Sequence, residues 1–211
     1  MFVFGVIFAL VAGLLFGLIG PTTKIAYNAG ASVALAIFLR YAVASIIILP
    51  LVPYQKNLLV GFRKNLNYFI LISVGSIFLT LGLLTSVIFI EVSLTILIFC
   101  LYPIYVLIYS IIVDKEKILL SVKILFIITF IGIIMVLGPS FKIINLLGVT
   151  LAIIASLGAT SMIVINQKMS FKGISPIPIN IFINMFNTIF FFIILKIFFS
   201  LGFDFPINVY L

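Results

Sequence analysis

The chain has no histidine, one cysteine and four carboxylates in 211 residues. A zinc site needs several His or Cys ligands, and a serine-type triad needs its imidazole, so both are excluded. Cys100 has no partner for an intramolecular disulfide. Charged residues make up only 8 % of the chain, while apolar residues make up 65 %. No soluble domain can hide that much apolar surface, so the solvent is lipid. A formal net charge of +8 would point a soluble protein toward nucleic acid. Here the basic residues lie mostly in short gaps between apolar runs, which fits membrane topology and contact with anionic headgroups. The expected partners are therefore the bilayer and a small-molecule substrate, with no nucleic acid, metal or cofactor.

Backbone polar groups in lipid need internal partners, which leaves helices or a closed barrel. The apolar runs are long and continuous rather than alternating strands of about ten residues. The reading is an all-α polytopic transmembrane bundle. Seven spans are expected, over residues 2–20, 31–51, 68–90, 92–113, 119–137, 144–165 and 177–199, each near the roughly twenty residues that cross a bilayer. The first has no basic n-region and similar spans follow it, so it reads as a membrane helix and not a signal peptide. Gly20-Pro21 and Gly138-Pro139 are expected to end the first and fifth helices sharply. Ser175-Pro176 offers a cap and a first-turn proline to the seventh. With a cytoplasmic N-terminus, the cytoplasmic gaps hold Lys56, Arg63, Lys64, Lys115, Lys117, Lys168 and Lys172, against Lys24 and Lys142 opposite. That bias favours a multi-pass protein of the cell membrane with its N-terminus inside.

The chain also repeats itself. Gly5-Val6-Ile7-Phe8-Ala9-Leu10-Val11-Ala12-Gly13-Leu14 returns as Gly148-Val149-Thr150-Leu151-Ala152-Ile153-Ile154-Ala155-Ser156-Leu157, with five of ten positions identical at an offset of 143. At the same offset Gly30 and Ser32 meet Gly173 and Ser175. One inserted residue later, Ile37-Phe38 meets Ile181-Phe182. Five helices separate the two starts, so the second copy enters from the other side, as in inverted-repeat transporters. The expected units are a five-helix repeat over 1–139 and a partial second repeat over 144–211, with two helices and the start of a third. A complete second copy would run to about residue 286, so the expectation is either a fragment or a shortened protein whose bundle a partner completes.

Several local patterns stand out along the chain. They are Phe16-Gly17 followed by Thr23-Lys24, Phe38-Leu39-Arg40-Tyr41, Leu101-Tyr102-Pro103 followed by Asp114-Lys115-Glu116, and Gly132-Ile133-Ile134-Met135-Val136-Leu137. In order and spacing they resemble the EamA-type carriers of the drug/metabolite transporter superfamily. The resemblance implies ten helices in two inverted halves, both termini cytoplasmic, and movement of small metabolites, amino acids or drugs by alternating access. Phe16 stands where many members have Trp, and three helices of the family pattern are missing.

Arg40 is the tenth residue of the expected second span, near the bilayer midplane, where an arginine costs roughly 2.5–3.5 kcal/mol. It reads either as an anion-binding residue at the substrate site or as a structural arginine that bonds carbonyls or snorkels. Lys24, at a helix end, has the same two readings. Asn180, Asn184 and Asn187 share a helical face with Thr188. Asn184 is one repeat away from Arg40 and reads as substrate lining, whereas Asn187 reads as interhelical glue. Tyr102 reads as lining or as an interfacial anchor. Pro103 is expected to kink the fourth span. Gly13 and Gly17, with Ala9, form a small-residue face in the first span, and Ser156 and Thr160, with Ala152, form its counterpart in the sixth. Both are expected to allow close helix packing.

Glu91, Asp114, Glu116 and Asp204 all fall in gaps or near helix ends. Coupling through an intramembrane carboxylate is therefore not expected. The leading function is a carrier and not an enzyme. The alternatives are a truncated, non-transporting membrane subunit or fragment and, behind it, a lipid-modifying membrane enzyme, which would need a nucleophile, acid or metal cluster that the sequence lacks. A homodimer and a completing partner are both open.

Overall fold

Two antiparallel helices whose backbones touch form the centre of the bundle. The structure is a computed structural model that describes residues 2–54, 65–137 and 145–200. Its helices are α1 (Phe2–Gly17), α2 (Ile19–Asn28), α3 (Val33–Ile48), α4 (Leu66–Phe89), α5 (Val92–Phe99), α6 (Tyr102–Ile112), α7 (Leu120–Leu137), α8 (Leu146–Phe171) and α9 (Pro176–Ser200). No strand occurs among the described residues. The protein is an all-α polytopic membrane bundle, as the composition requires. Among the described residues, five stretches are long and apolar enough to cross a membrane: Gly5–Asn28, Leu66–Phe89, Val92–Ile112, Leu146–Phe171 and Pro176–Ile197. Val33–Ile48 and Leu120–Met135 are shorter. The sixteen residues of α3 rise about 24 Å, and a 3₁₀ segment over Leu49–Tyr54 adds about 12 Å, so this span also reaches across. Pro50 and Pro53 lack the N–H that would continue the α-helix.

The expected spans appear in order, with shifted ends. Gly20-Pro21 does not end the first one. Helix α1 breaks at Leu18, and Pro21 falls in the first turn of α2, where a missing N–H removes little. The helical stretch then runs on to Asn28 and ends at Gly30. There φ is +93°, the Gly30 amide bonds Tyr27 O at 2.9 Å, and the Ala31 amide bonds Ala26 O at 3.0 Å. Gly173 ends α8 in the same way, with φ +73° and bonds to Ser170 O at 2.9 Å and from Ile174 to Met169 O at 3.1 Å. Left-handed backbone is cheap only for glycine. Each turn is followed by a serine cap: Ser32 accepts from the Leu35 amide at 3.2 Å, and Ser175 from the Ile177 amide at 3.4 Å. The two positions 143 apart thus share geometry as well as residue type. Gly138-Pro139, Lys56, Arg63, Lys64, Lys142, Asp204 and residues 206–211 lie outside the described residues.

Helices α4 and α8 run antiparallel in contact. A Cβ on Gly82 would sit 2.5 Å from Leu151 O and 2.8 Å from Ala155 N; one on Gly158 would sit 2.5 Å from Leu79 N and 2.7 Å from Gly75 O. A Cβ on Gly75 would strike Ser161 Oγ, and one on Gly148 would lie 2.8 Å from Phe89 Cβ. At the same end of the contact, Ser86 donates to Gly148 O at 2.9 Å. Without a hydrophobic force between helices in lipid, such close packing is what associates them. Helix α9 packs antiparallel on α3, with ring contacts Phe38–Phe192 at 5.9 Å and Tyr41–Phe191 at 6.1 Å. Ser45 and Thr188 bond at 3.0 Å near the middle of both spans.

The expected close approach at Gly13 and Gly17 is not found. Both are exposed, with nothing within 4 Å of an added Cβ, because α1 lies on the outside of the described bundle and its described side chains are exposed all round. Contacts Lys168–Asp114 and Lys172–Asn65 bring the end of α8, the end of α6 and the start of α4 to one face. With Lys115 and Lys117 in the adjoining loop, it is called the basic end below.

Gly158→Val should lower stability by about 3 kcal/mol, since the new methyls meet backbone. Gly132→Val, with open space around it, should stay within about 0.5 kcal/mol of the parent. Denaturation in detergent micelles compares them; equal losses would contradict the packing described.

Candidate functional site

Hydroxyl and amide groups gather where α3, α4 and α9 meet. Helix α4 carries Ser73, Ser76 and Thr80 at steps of three and four, which stacks them on one face. All three are at most 2 % exposed. Helix α3 contributes Tyr41 and α9 contributes Asn187, both buried. Tyr41 Oη lies 2.6 Å from Thr80 Oγ1 and donates to Ser76 O at 3.3 Å. Asn187 Nδ2 donates to Ser76 Oγ, which in turn donates to Ser73 O at 3.0 Å. Beside them Thr188 Oγ1 donates to Asn184 O at 2.7 Å while Ser45 holds its other side. Ser76 is ten residues into α4, about 15 Å from its basic end, so the cluster sits at mid-depth.

Three polar atoms in this region are buried without a hydrogen-bond partner: Ser73 Oγ, Asn187 Oδ1 and Arg40 Nη1. An orphaned buried group costs about 1–3 kcal/mol, and more when it is charged. Ser156 Oγ on α8 is in the same condition.

Arg40 is half-buried, next to Tyr41 on α3. It lies about 10 Å from the start of the helix. The 3₁₀ extension moves the middle of this span toward Ser45, so Arg40 is nearer the end opposite the basic one than the sequence expectation placed it. Arg40 and Asn184 fall on opposite sides of the Ser45–Thr188 crossing. Five residues one way and four the other separate them by about 13 Å along the axis. Asn184 Nδ2 donates to Asn180 O at 2.8 Å, and Asn180 Nδ2 to Pro176 O at 3.0 Å, so both amides bond their own helix. Lys24 is exposed. Tyr102 is half-buried, its ring 5.3 Å from that of Phe99 and its carbonyl accepting from Thr160 Oγ1 at 3.3 Å. Thr160 also donates to Ser156 O at 2.8 Å. The fourth span breaks at Cys100-Leu101, with Pro103 in the first turn of α6.

Sequence reasoning passed over Tyr41, Ser73, Ser76 and Thr80. The signal was present as a run of hydroxyls at i, i+3 and i+7 in an otherwise apolar helix, a stripe that only a polar partner keeps from facing lipid.

A cleft of about 310 Å³ lies elsewhere, between the broken fourth span and α7. Cys100, Pro103, Phe126, Thr129, Phe130 and Ile133 are among its lining residues, and none of the expected substrate-binding residues is. Its lining is largely apolar. Thr129, its one hydroxyl, bonds Leu125 O at 2.8 Å in its own helix. The cluster therefore offers more hydrogen-bonding groups than the cleft.

Residues 3–138 match the model of the EamA-like transporter family. The chain belongs to that family. This EamA-like protein is thus a multi-pass membrane protein of the drug/metabolite transporter superfamily, whose members are transporters rather than enzymes. No curated protein and no solved structure gives a significant match to it.

Asn187→Ala should cost this EamA-like protein about 0.6–1.7 kcal/mol, the range for an interhelical bond in a membrane bundle. Asn184→Ala should cost less, because its bond stays within one helix. Unfolding in mixed micelles reads both, and a larger loss at Asn184 would contradict the assignment.

Proposed function

We propose that the protein carries a small metabolite, amino acid or drug across the cell membrane by alternating access, with the cargo held at the seam of α3, α4 and α9. The supporting observation is the mid-depth cluster with its three unpartnered atoms. Hydrocarbon offers them nothing, whereas a substrate with acceptor and donor groups satisfies them. The guanidinium of Arg40 supplies attraction for an anionic group, and Asn187 Oδ1 and Ser73 Oγ supply neutral hydrogen bonding. Transporters built from inverted repeats bind cargo near the midplane, between halves, and this seam joins α3 and α4 of the first repeat to α9 of the second. Lys24 and Arg40 lie on one side of the crossing and Asn184 and Asn180 on the other, where they meet cargo on its way in or out. Tyr102 stands by the break in the fourth span. The basic end faces the cytoplasm by the lysine bias, which puts the N-terminus inside.

Reconstitution into vesicles and counterflow of radiolabelled candidate metabolites tests the proposal. Arg40→Ala should slow transport at least about tenfold, equivalent to 1.4 kcal/mol of lost binding, with little change in folded yield. Transport at the parental rate would remove Arg40 from the site.

A further inference from the structure

The last turn of α8 is tied to the first five helical spans on two sides. Lys168 Nζ donates to Tyr109 Oη on α6, lies 5.0 Å from the centre of that ring, and approaches Asp114 at 4.0 Å. One turn on, Lys172 Nζ stands 4.1 Å over the ring of Tyr68 on α4 and donates to Asn65 Oδ1 at 3.3 Å. Immediately afterwards Gly173 reverses the chain into α9. Beneath the lysines an apolar plug fills the space between α4, α8 and α9. Phe69, Ile72, Met169 and Ile179 are each at most 2 % exposed, and the Phe69 and Phe182 rings meet edge-on at 5.2 Å. This plug lies between the basic end and the polar cluster, since Phe69 and Ile72 precede Ser73 on α4.

We propose that the end of α8 is the latch of the basic-end gate, with Lys168 on Tyr109 and Lys172 on Tyr68 holding the plug shut. The purpose of the latch rests on the alternating-access reading; its existence does not. Each tie is suited to release. Cation–π contacts and charged hydrogen bonds at a half-exposed position (Lys168) and an exposed one (Lys172) are individually modest, so a small difference in binding energy between two states can break them. The Lys168–Asp114 pair adds little, because its side chains are 38 % and 33 % exposed and 4.0 Å apart. Lys168 and Lys172 are four residues apart and grip two different helices, so loss of one loosens α8 against one neighbour only.

The test uses a Cys100→Ser background, which removes the only native thiol, and Met169→Cys as the reporter in the plug. The probe is a membrane-impermeant anionic methanethiosulfonate, applied to both faces of proteoliposomes without any substrate. The reporter should react slowly in the parent and about 5- to 30-fold faster after Lys168→Met, the factor expected for loss of a contact of this size. Tyr109→Phe removes a single oxygen and should give a rise in the same direction; it serves if Lys168→Met does not fold. Lys168→Arg should stay near the parent, and Asp114→Asn should change the rate less than about twofold. Equal rates in parent, Lys168→Met and Tyr109→Phe would overturn the latch. No substrate enters the measurement, so a protein that transports nothing can still show the latch. One that transports well with unchanged labelling loses the latch and keeps its proposed function.

Discussion

At Gly75, Gly82, Gly148 and Gly158 the side chain is missing where another helix or its end passes, and at Gly82 and Gly158 α4 and α8 meet backbone to backbone. In water a bundle of this size would be held by apolar burial. In lipid that force vanishes between helices, and dispersion at close range, with a few hydrogen bonds, must replace it. The antiparallel contact of α4 and α8 supplies the longest stretch of such packing in the described residues. It sets where the other helices lie. Because α4 and α8 are fixed in register, the face of α4 with Ser73, Ser76 and Thr80 is turned toward α3 and α9. The same register brings Lys168 and Lys172 to the ends of α6 and α4. Polar cluster and basic-end contacts are thus two consequences of one helix pair.

Around that pair the spans are less regular. The first and fourth are each broken near the middle, at Leu18 and at Cys100-Leu101, with a proline in the first turn that follows. The breaks face one another: the Phe16 and Phe99 rings are 6.0 Å apart, and a Cβ on Gly20 would crowd Val92. Prolines remove backbone bonds that intact helices would keep. A bundle with one rigid pair and two neighbouring broken spans has a natural division between what stays and what bends. That division suits a family of membrane transporters.

Much of this was legible in the residues. The shortage of charge and the long apolar runs specify a helical membrane protein, and the echoes of Gly30 and Ser32 at Gly173 and Ser175 mark two turns of one geometry. The contact partners were harder to read. A stripe such as Ala9, Gly13 and Gly17 looks as suitable for packing as Gly75 and Gly82. Which stripe is used depends on which helix the fold places inside, and α1 is placed outside. Arg40 and Asn184 were paired by the sequence echo, but in the fold they fall on opposite sides of the Ser45–Thr188 contact. Ser45 and Thr188, which do touch, are one residue out of that register. The cluster on α4 escaped notice because Ser and Thr in a membrane helix can also bond their own backbone, as Thr22, Thr23 and Thr129 do here.

Tryptophan scanning of α4 tests the central contact most directly, since the protein has no native tryptophan. Each position from 70 to 88 is replaced in turn and the folded, detergent-extractable yield is measured. Yield should collapse at Gly75, Leu79, Gly82 and Ser86, which meet α8, and hold at Leu71, Val74 and Phe78, which are exposed. Uniform tolerance along the helix, or collapse on the Leu71–Val74–Phe78 face instead, would contradict the account.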